Sequence, residues 1–435
     1  MLSALALTLG LPFALLSTPS TPATTLRLEE LVAAAAAHDP RQAEVAAYGA
    51  IEARRQANLD ARFRPSLEAQ GQAAYHSAVA EFPGGLIAGP PKDQYDAHLA
   101  VDRLLWDGGR TRQEKTLATV GRELEQQGVA VDFFAVRRRL ERAFFAALLR
   151  RAELDLLATL QADLEAQIDT METRVTHGVA LPGDAAVLKA ALEEERQRAL
   201  EAAAERRAAL DVLATLTGRP VPDEAVLVVP PVAVPTDALA VARGVLESSG
   251  PAGSERPELT AFALGRRLLD EQRALTALAD RPVVSAFARG GVGRPADQDF
   301  LEQDPTPYLV VGVRVRWKPW DWGQARREGE IRALEQAVSV ARERAFRESL
   351  SATLQEGARR MEALQQALAS DERIVELREV RRRQAEAQLR EGVLTPTDYL
   401  TERNAEHRAR LVWEQHRLEL ARQSVEFHTN LGKEP

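Results

Sequence analysis

The 435-residue chain is one unit written twice. Trp106-Asp107 recurs as Trp320-Asp321, and Gly178, Pro182 and Asp184 recur as Gly392, Pro396 and Asp398, all at an offset of 214. Gly218 recurs as Gly432 at the same offset. Further upstream, His38-Asp39-Pro40 recurs as Glu255-Arg256-Pro257, and Arg64-Pro65 as Arg281-Pro282, at an offset of 217. A single three-residue shift between residues 65 and 106 reconciles the two offsets, and chance does not hold one offset from Trp106 to Gly218. A length that would otherwise suggest two or three unrelated globular domains therefore reads as two copies of one supersecondary plan. The first repeat is expected over 24–218 and the second over 255–435. Between them, 219–254 is a Pro/Gly/Ser-rich linker with one short helical piece near Ala238 to Glu247.

Each copy mixes two periodicities. A helix is expected from Leu28 to Ala61, turning at Asp39-Pro40 because Pro disfavours helix in the residue before it. After Arg64-Pro65 the pattern changes to alternation, which marks a strand at about 65–76. Leu67, Ala69, Gly71, Ala73 and Tyr75 share one face; Ser66, Glu68, Gln70, Gln72 and Ala74 share the other. A Gly/Pro-rich loop follows, and alternation resumes at about 95–106, with Tyr95, Ala97, Leu99 and Val101 against Asp96, His98, Ala100 and Asp102. The second copy has strands at about 282–293 and 307–318. There Val284, Ala286, Ala288 and Val292 oppose Ser285, Phe287, Arg289 and Gly291. Leu309, Val311, Val313 and Val315 oppose Val310, Gly312, Arg314 and Arg316.

Glu68, Asp96, Asp102, Arg289, Arg314 and Arg316 thus fall on polar faces. That suits a sheet with lipid on its apolar side and water on its polar side. The strand lengths match the roughly 9–11 residues a tilted membrane strand needs. A soluble, half-buried sheet is the alternative reading of the same alternation. Four of the five Trp gather at the strand ends: Trp106 in the first copy, and Trp317, Trp320 and Trp322 in the second. Trp at a lipid–water boundary keeps its ring in the membrane edge and its N–H in water; packing at a strand–helix junction is the plainer alternative.

Long helical hairpins follow, at 109–217 and 322–431. Leu157, Leu160, Leu164, Ile168, Met171 and Val175 recur every three or four residues, as do Leu350, Leu354, Ala358, Met361, Leu364 and Leu368. A narrow stripe of this kind on a helix of about 65 residues, roughly 100 Å long, is a coiled-coil seam. Aromatics at 5 % and charged residues at 28 % agree with thin helices rather than thick globular cores. Each hairpin turns at a Gly-x-x-x-Pro-x-Asp tip, where Gly ends one helix and Pro opens the next.

The remaining composition narrows function. Residues 1–26 carry no charge; 1–23 read as a secretory signal with small residues around Ala23, and a buried apolar N-terminal helix is the alternative. No other segment is a candidate transmembrane helix, since the longest uncharged apolar stretch near the middle of the chain, Ala225 to Thr236, is short and holds three prolines. The absence of Cys excludes disulfides, thiolate metal sites and lipid attachment at an N-terminal Cys. A net charge of −8 gives no nucleic-acid footprint. The seven His are scattered, with no HExxH pair, P-loop, Gly-x-Ser-x-Gly or dinucleotide fingerprint. No enzyme, metal site or cofactor is expected.

Four strands cannot close a barrel, and an open sheet edge cannot sit in lipid, so a membrane reading requires several chains. Three chains give twelve strands, wide enough for a pore. The chain resembles the TolC-like outer-membrane efflux proteins over essentially all its mature length. The resemblance rests on an ordered set of features. These are the duplicated helix–strand–strand–helix plan, Leu28-Glu29-Glu30-Leu31 through Asp39-Pro40, the Arg64-Pro65-Ser66-Leu67 barrel entry, the Trp-Asp-x-Gly strand exits and the paired Gly-Val tips. It implies a mainly α fold with a membrane β-barrel part, in which a homotrimer forms a 12-stranded barrel continuous with a periplasmic α-helical barrel. It also implies a place in the outer membrane of a Gram-negative bacterium and a role as the exit duct of an efflux or type I secretion system. The partners it implies are outer-membrane lipid, a periplasmic adaptor and an inner-membrane pump of the RND, ABC or MFS type.

In such proteins the hairpin tips meet the adaptor. The matching positions are Gly178-Val179 and Gly392-Val393, with Arg174 one turn before the first tip and Gln388 at its equivalent in the second. Aspartate rings that narrow the periplasmic mouth match Asp398; one turn later stands Thr401, with Glu402 beside it. Asp398 also lies in a helix's first turn, where a carboxylate favours the dipole. Leu394 occupies the position of the family's basic latch residue. A soluble periplasmic coiled-coil scaffold or adaptor is the competing function; it explains the helices but not the four phase-matched strands.

Overall fold

A computed structural model describes residues 25–79, 89–247, 254–295 and 304–433. The expected signal segment and parts of both strand-connecting loops lie outside the described residues.

The chain opens with β1 (Thr25–Leu26), α1 (Leu28–His38) and α2 (Gln42–Ala61). The break between the helices falls at Asp39-Pro40, where the Asp39 carboxylate accepts from the backbone N–H of Arg41 at 3.0 Å and binds its guanidinium. Strands β2 (Ser66–Tyr75) and β3 (Asp93–Trp106) follow, then the hairpin of α3 (Arg110–Thr176) and α4 (Pro182–Thr217). Next come β4 (Val226–Leu227) and α5 (Ala238–Glu247). The same order then repeats with α6 (Pro257–Thr276), β5 (Val283–Arg294), β6 (Thr306–Arg316), α7 (Gln324–Arg390) and α8 (Pro396–Leu431). Helices α3 and α7 both have 67 residues, and α4 and α8 both have 36.

The long hairpins hold together along their seams. Leu157, Leu160, Leu164, Ile168 and Met171 are buried on α3, and Leu350, Leu354, Ala358, Met361 and Leu364 on α7. Truncating one of the Leu to Ala costs about 2–5 kcal/mol. At the far end the two hairpins share one core, in which Leu164, Ile168 and Met171 meet Leu188 and Leu192 of α4, Leu389 of α7 and Tyr399 of α8.

The other end of each copy explains one repeated residue. Gly218 (φ +67°) and Gly432 (φ +81°) end α4 and α8 in the left-handed region. A side chain at Gly218 would meet the His38 ring within 2.6 Å, and one at Gly432 would meet the Glu255 backbone within 2.4 Å. The glycine that ends the return helix of each copy therefore packs against the equivalent position near the start of the same copy, His38 or Glu255, and only glycine permits that approach.

One pairing was not visible in the sequence. β1 and β4 form a two-stranded parallel sheet, Thr25 with Val226 and Leu26 with Leu227, which brings the linker back to the start of the first copy. Arg206 of α4 fixes that linker by donating to the carbonyls of Asp223 and Ala225 (3.1 Å to the latter).

Candidate functional site

The four longer strands form one sheet in the order β2-β3-β5-β6, antiparallel throughout, with β2 and β6 at open edges. The register joins the two copies in phase. Leu67 pairs with Val101, Val101 with Ala288, and Ala288 with Val311. One face therefore carries Leu67, Leu99, Val101, Val292, Leu309, Val311, Val313 and Val315. None of these is buried: Leu67 is 70 % exposed, Leu309 74 % and Val311 71 %. No helix among the described residues covers this face. A sheet whose whole apolar face lacks a core is unfavourable in water, since each buried aliphatic side chain contributes about 1.5–3 kcal/mol.

Glu68, Asp96, Asp102, Arg289, Arg314 and Arg316 all lie on the opposite face by register. Four of them, Asp96, Asp102, Arg289 and Arg314, take part in cross-strand contacts there. Asp96 binds both His98 and the Tyr308 hydroxyl, and Arg289 lies 5.7 Å from the Tyr308 ring. Arg314 donates to Asp102 at 3.3 Å and sits 4.7 Å from the Phe287 ring. Charges that join strands from both copies on one face suit a water-lined surface. One charge departs from the pattern. Arg103 pairs with Ala286 on the apolar face, one row inside Trp106.

The strand ends carry the exposed indoles. Trp106 pairs with Val284 across a bulge and so joins the apolar face. The Trp317 Nε1 donates to the Asp280 carbonyl at 2.9 Å, and the Trp320 and Trp322 rings meet edge-on at 5.8 Å. Trp322 adopts φ +58°, an uncommon conformation for a bulky residue. The neighbouring acids turn strand into helix. Asp107 accepts from the backbone N–H of Gly109 (3.0 Å) and Thr111 (2.7 Å), and Asp321 from those of Gly323 (2.8 Å) and Ala325 (2.7 Å). Each carboxylate thus satisfies two orphan donors at the start of a 67-residue helix. Burial opposes the charge on Asp107, but the Thr111 and Gly109 donors outweigh it and hold the carboxyl below its usual range.

At the other end of the helices, Gly178 and Gly392 (φ +76° and +75°) close α3 and α7, and Val179 and Val393 project into solvent. Arg174 does not project. Its Nη1 donates to the Leu389 carbonyl at 2.7 Å, so it ties the first tip to the last turn of α7. Asp398 is exposed and serves the start of α8: its N–H donates to Thr395 Oγ1 at 3.2 Å and its carboxylate accepts from that hydroxyl at 2.7 Å. Asp184, its counterpart, accepts from the Leu181 N–H at 3.1 Å. Thr401 donates back to the Thr397 carbonyl. Glu402 is paired with two cations of α7, Arg381 at 3.2 Å and Arg378 at 3.9 Å.

Sequence reasoning missed the side chains that join the hairpins behind the tips. Tyr399 is fully buried, and its hydroxyl donates to Asp163 of α3 at 2.8 Å. Burial pushes the phenol up, and the Asp163 charge adds to the effect, so the donor stays protonated. Arg382 of α7 binds Glu406 of α8 at 2.9 Å, and Arg403 of α8 is buried beside them. The signal was present in Tyr399, an aromatic one residue after Asp398 in a helix otherwise poor in aromatics. Its partner lies 236 residues away, beyond the reach of periodicity.

No protein-family model matches the chain, and no curated protein matches it by sequence. Solved structures do. The outer membrane protein VceC of Vibrio cholerae is 15 % identical, with a TM-score of 0.66 over 94 % of this chain and 96 % of that one. The CmeC outer membrane channel of Campylobacter jejuni is 13 % identical, with a TM-score of 0.65 over 93 % and 85 %. The MtrE outer membrane channel of Neisseria gonorrhoeae, in its open state, is 16 % identical, with a TM-score of 0.63 over 94 % and 89 %. The chain has the TolC-like outer-membrane channel fold.

Proposed function

We propose that three copies of this chain form a channel in the outer membrane of a Gram-negative bacterium, the passive exit duct of a tripartite efflux or type I secretion system. The observation that carries this reading is the four-stranded sheet with two open edges and an uncovered apolar face. Pairing the β6 edge of one copy with the β2 edge of the next removes every edge and yields twelve strands. The same closure turns the Leu309–Val315 face to lipid and the Asp96–Arg314 face to a water-filled lumen. No helix among the described residues is long and apolar enough to cross a membrane, which leaves the strands as the anchor. A soluble scaffold has no use for such a face.

The long hairpins then extend the barrel into the periplasm, where a periplasmic adaptor meets Gly178-Val179 and Gly392-Val393 and an inner-membrane pump delivers the cargo. Fractionation tests the core of the reading. The mature protein is expected in the outer-membrane pellet and as a trimer in mild detergent. A monomer that stays soluble without detergent sinks it.

In this assembly Asp398 forms a three-fold ring of carboxylates at the periplasmic mouth, with Thr401 and Glu402 one turn deeper. Glu402 contributes little free charge, because Arg381 and Arg378 flank it. Asp398 is the better test, since Asp398→Asn keeps a side-chain oxygen for Thr395 and removes only the charge. The variant is expected to fold normally and to lower cation selectivity in planar bilayers. Unchanged selectivity and current remove Asp398 from the mouth.

A further inference from the structure

Helix α3 is covered on a side where α7, its repeat mate, is bare. Gln113 of α3 donates to the Glu271 carboxylate of α6 at 2.6 Å, Glu123 accepts from Arg267 at 3.1 Å, and Gln127 donates to the Pro257 carbonyl at 3.0 Å. Val120, in the middle of this row, is fully buried. At the offset of 214, Leu117, Val120 and Leu124 become Ile331, Leu334 and Val338. All three are exposed, Leu334 by 68 %. The pattern returns lower on α7, where the exposed Ile374 stands at the position of the buried Leu160.

The topology says what is missing. Helix α6 leads into β5 and α3 leaves β3, and these two strands pair. Helix α2 leads into β2 and α7 leaves β6, the two strands whose outer edges are free. Helix α2 also carries a matching surface: Ala43, Ala47, Ala50 and Ala57 recur at helical spacing and are all exposed. At the offset of 217, Ala47 and Ala50 are the mates of Leu264 and Arg267 on α6. Leu264 lies midway between Pro257 and Glu271, and Val120 midway between Gln127 and Gln113. Ala47 of one copy thus falls opposite Leu334 of another.

We propose that α2 of a second copy of this chain seats its alanine face on Ile331, Leu334 and Val338 of α7, repeating between copies the α3–α6 contact made once inside each chain. Small residues opposite large ones let two helices approach and bury the stripe. The polar bonds of the internal contact are not carried over, because Gln113–Glu271 and Glu123–Arg267 become Arg327–Arg54 and Ala337–Ala50. Arg327 is already engaged by the Trp322 carbonyl at 2.9 Å. Apolar burial therefore holds the seam between copies, whereas hydrogen bonds and an ion pair reinforce the one inside the chain. The inference rests on the β6–β2 ring proposed above and adds the helical surface that sets the register between copies.

The chain has no Cys, so a crosslink between two introduced thiols reports one contact. The purified full chain carrying both Ala50→Cys and Ala337→Cys, in mild detergent, is treated with a short bismaleimide and run on a denaturing gel. A covalent trimer is expected from the double variant, and monomer from either substitution alone. Leu334→Glu removes the centre of the stripe and places a carboxylate in the seam, so the trimer fraction is expected to fall at least roughly tenfold. Its helix content by circular dichroism is expected to stay, since Leu334 is exposed in the single chain. Trimers that the double variant does not crosslink, or that persist undiminished in Leu334→Glu, overturn the seam and leave the channel reading standing. A wild type that is monomeric in detergent and absent from the outer membrane overturns both.

Discussion

Val311→Arg is expected to remove the protein from the outer membrane, while Val310→Arg, one residue earlier, leaves it there. Val311 lies at the middle of β6, 71 % exposed, and pairs with Ala288 on the apolar face. Arg at the midplane of a lipid-facing strand costs about 2–4 kcal/mol. Three copies bring that to roughly 6–12 kcal/mol, comparable with the roughly 5–15 kcal/mol that separates a folded protein from its unfolded chain. Val310 pairs with Arg289 on the opposite face. There a new cation meets water and one like charge across the strand, at a cost of no more than about 1 kcal/mol. The measurement is the share of each variant in the outer-membrane fraction, and the trimer fraction in mild detergent. Equal loss of both variants would show that β6 is sensitive to charge whichever face carries it, and equal recovery would show that the apolar face does not meet lipid.

That contrast rests on a phase that was legible in the residues. Alternation with period two put Val311 and Val310 on opposite faces, and the register of all four strands obeys it because a slip of one residue would invert every side chain. The seams were legible for the same reason: a spacing of three and four along 67 residues leaves one stripe for burial, and Leu157 to Met171 fill it. The local punctuation was also plain, since Pro182 and Pro396 open α4 and α8 and Gly178 and Gly392 close α3 and α7.

What escaped the sequence is contact between segments far apart in it. The β1–β4 pair is two residues long on each side, too short to leave a pattern. Arg174 entered only through the resemblance, as a position one turn before the first tip. Its guanidinium satisfies a carbonyl at the end of α7, 215 residues away, a contact that spacing does not show. Glu402 was placed beside Thr401 without a partner in view, and it is held between two arginines of α7. Arg103 lies near the end of β3, beyond the stretch over which the alternation was read. In each case the residue type was visible and its partner was not, so the elements were derived from spacing while the electrostatics waited for the tertiary structure.

The largest effect on gating is expected from the bond between Tyr399 and Asp163 rather than from the exposed acids. Tyr399 is buried, protonated and 2.8 Å from a carboxylate on the other hairpin, whereas Asp398 bonds only within its own helix start. In the proposed assembly, an opening that moved the α7–α8 hairpin away from α3 would break the first bond and leave the second untouched. A hydrogen bond to a charged group contributes about 1.5–3 kcal/mol. In the proposed trimer, three copies opening together would bias the closed state by at least about 4.5 kcal/mol, a factor on the order of 10³ in the closed-to-open ratio. Tyr399→Phe keeps the ring in the core it shares with Leu164, Leu188 and Leu389 and deletes only the donor. Asp163→Ala deletes the acceptor. Each is expected to raise the open fraction in single-channel recordings by orders of magnitude, and the double variant to add little to either, because both remove one bond. Additive effects would mean that the two residues act through different partners. Wild-type closed lifetimes in Tyr399→Phe would mean that the hairpins do not separate along this contact when the mouth opens.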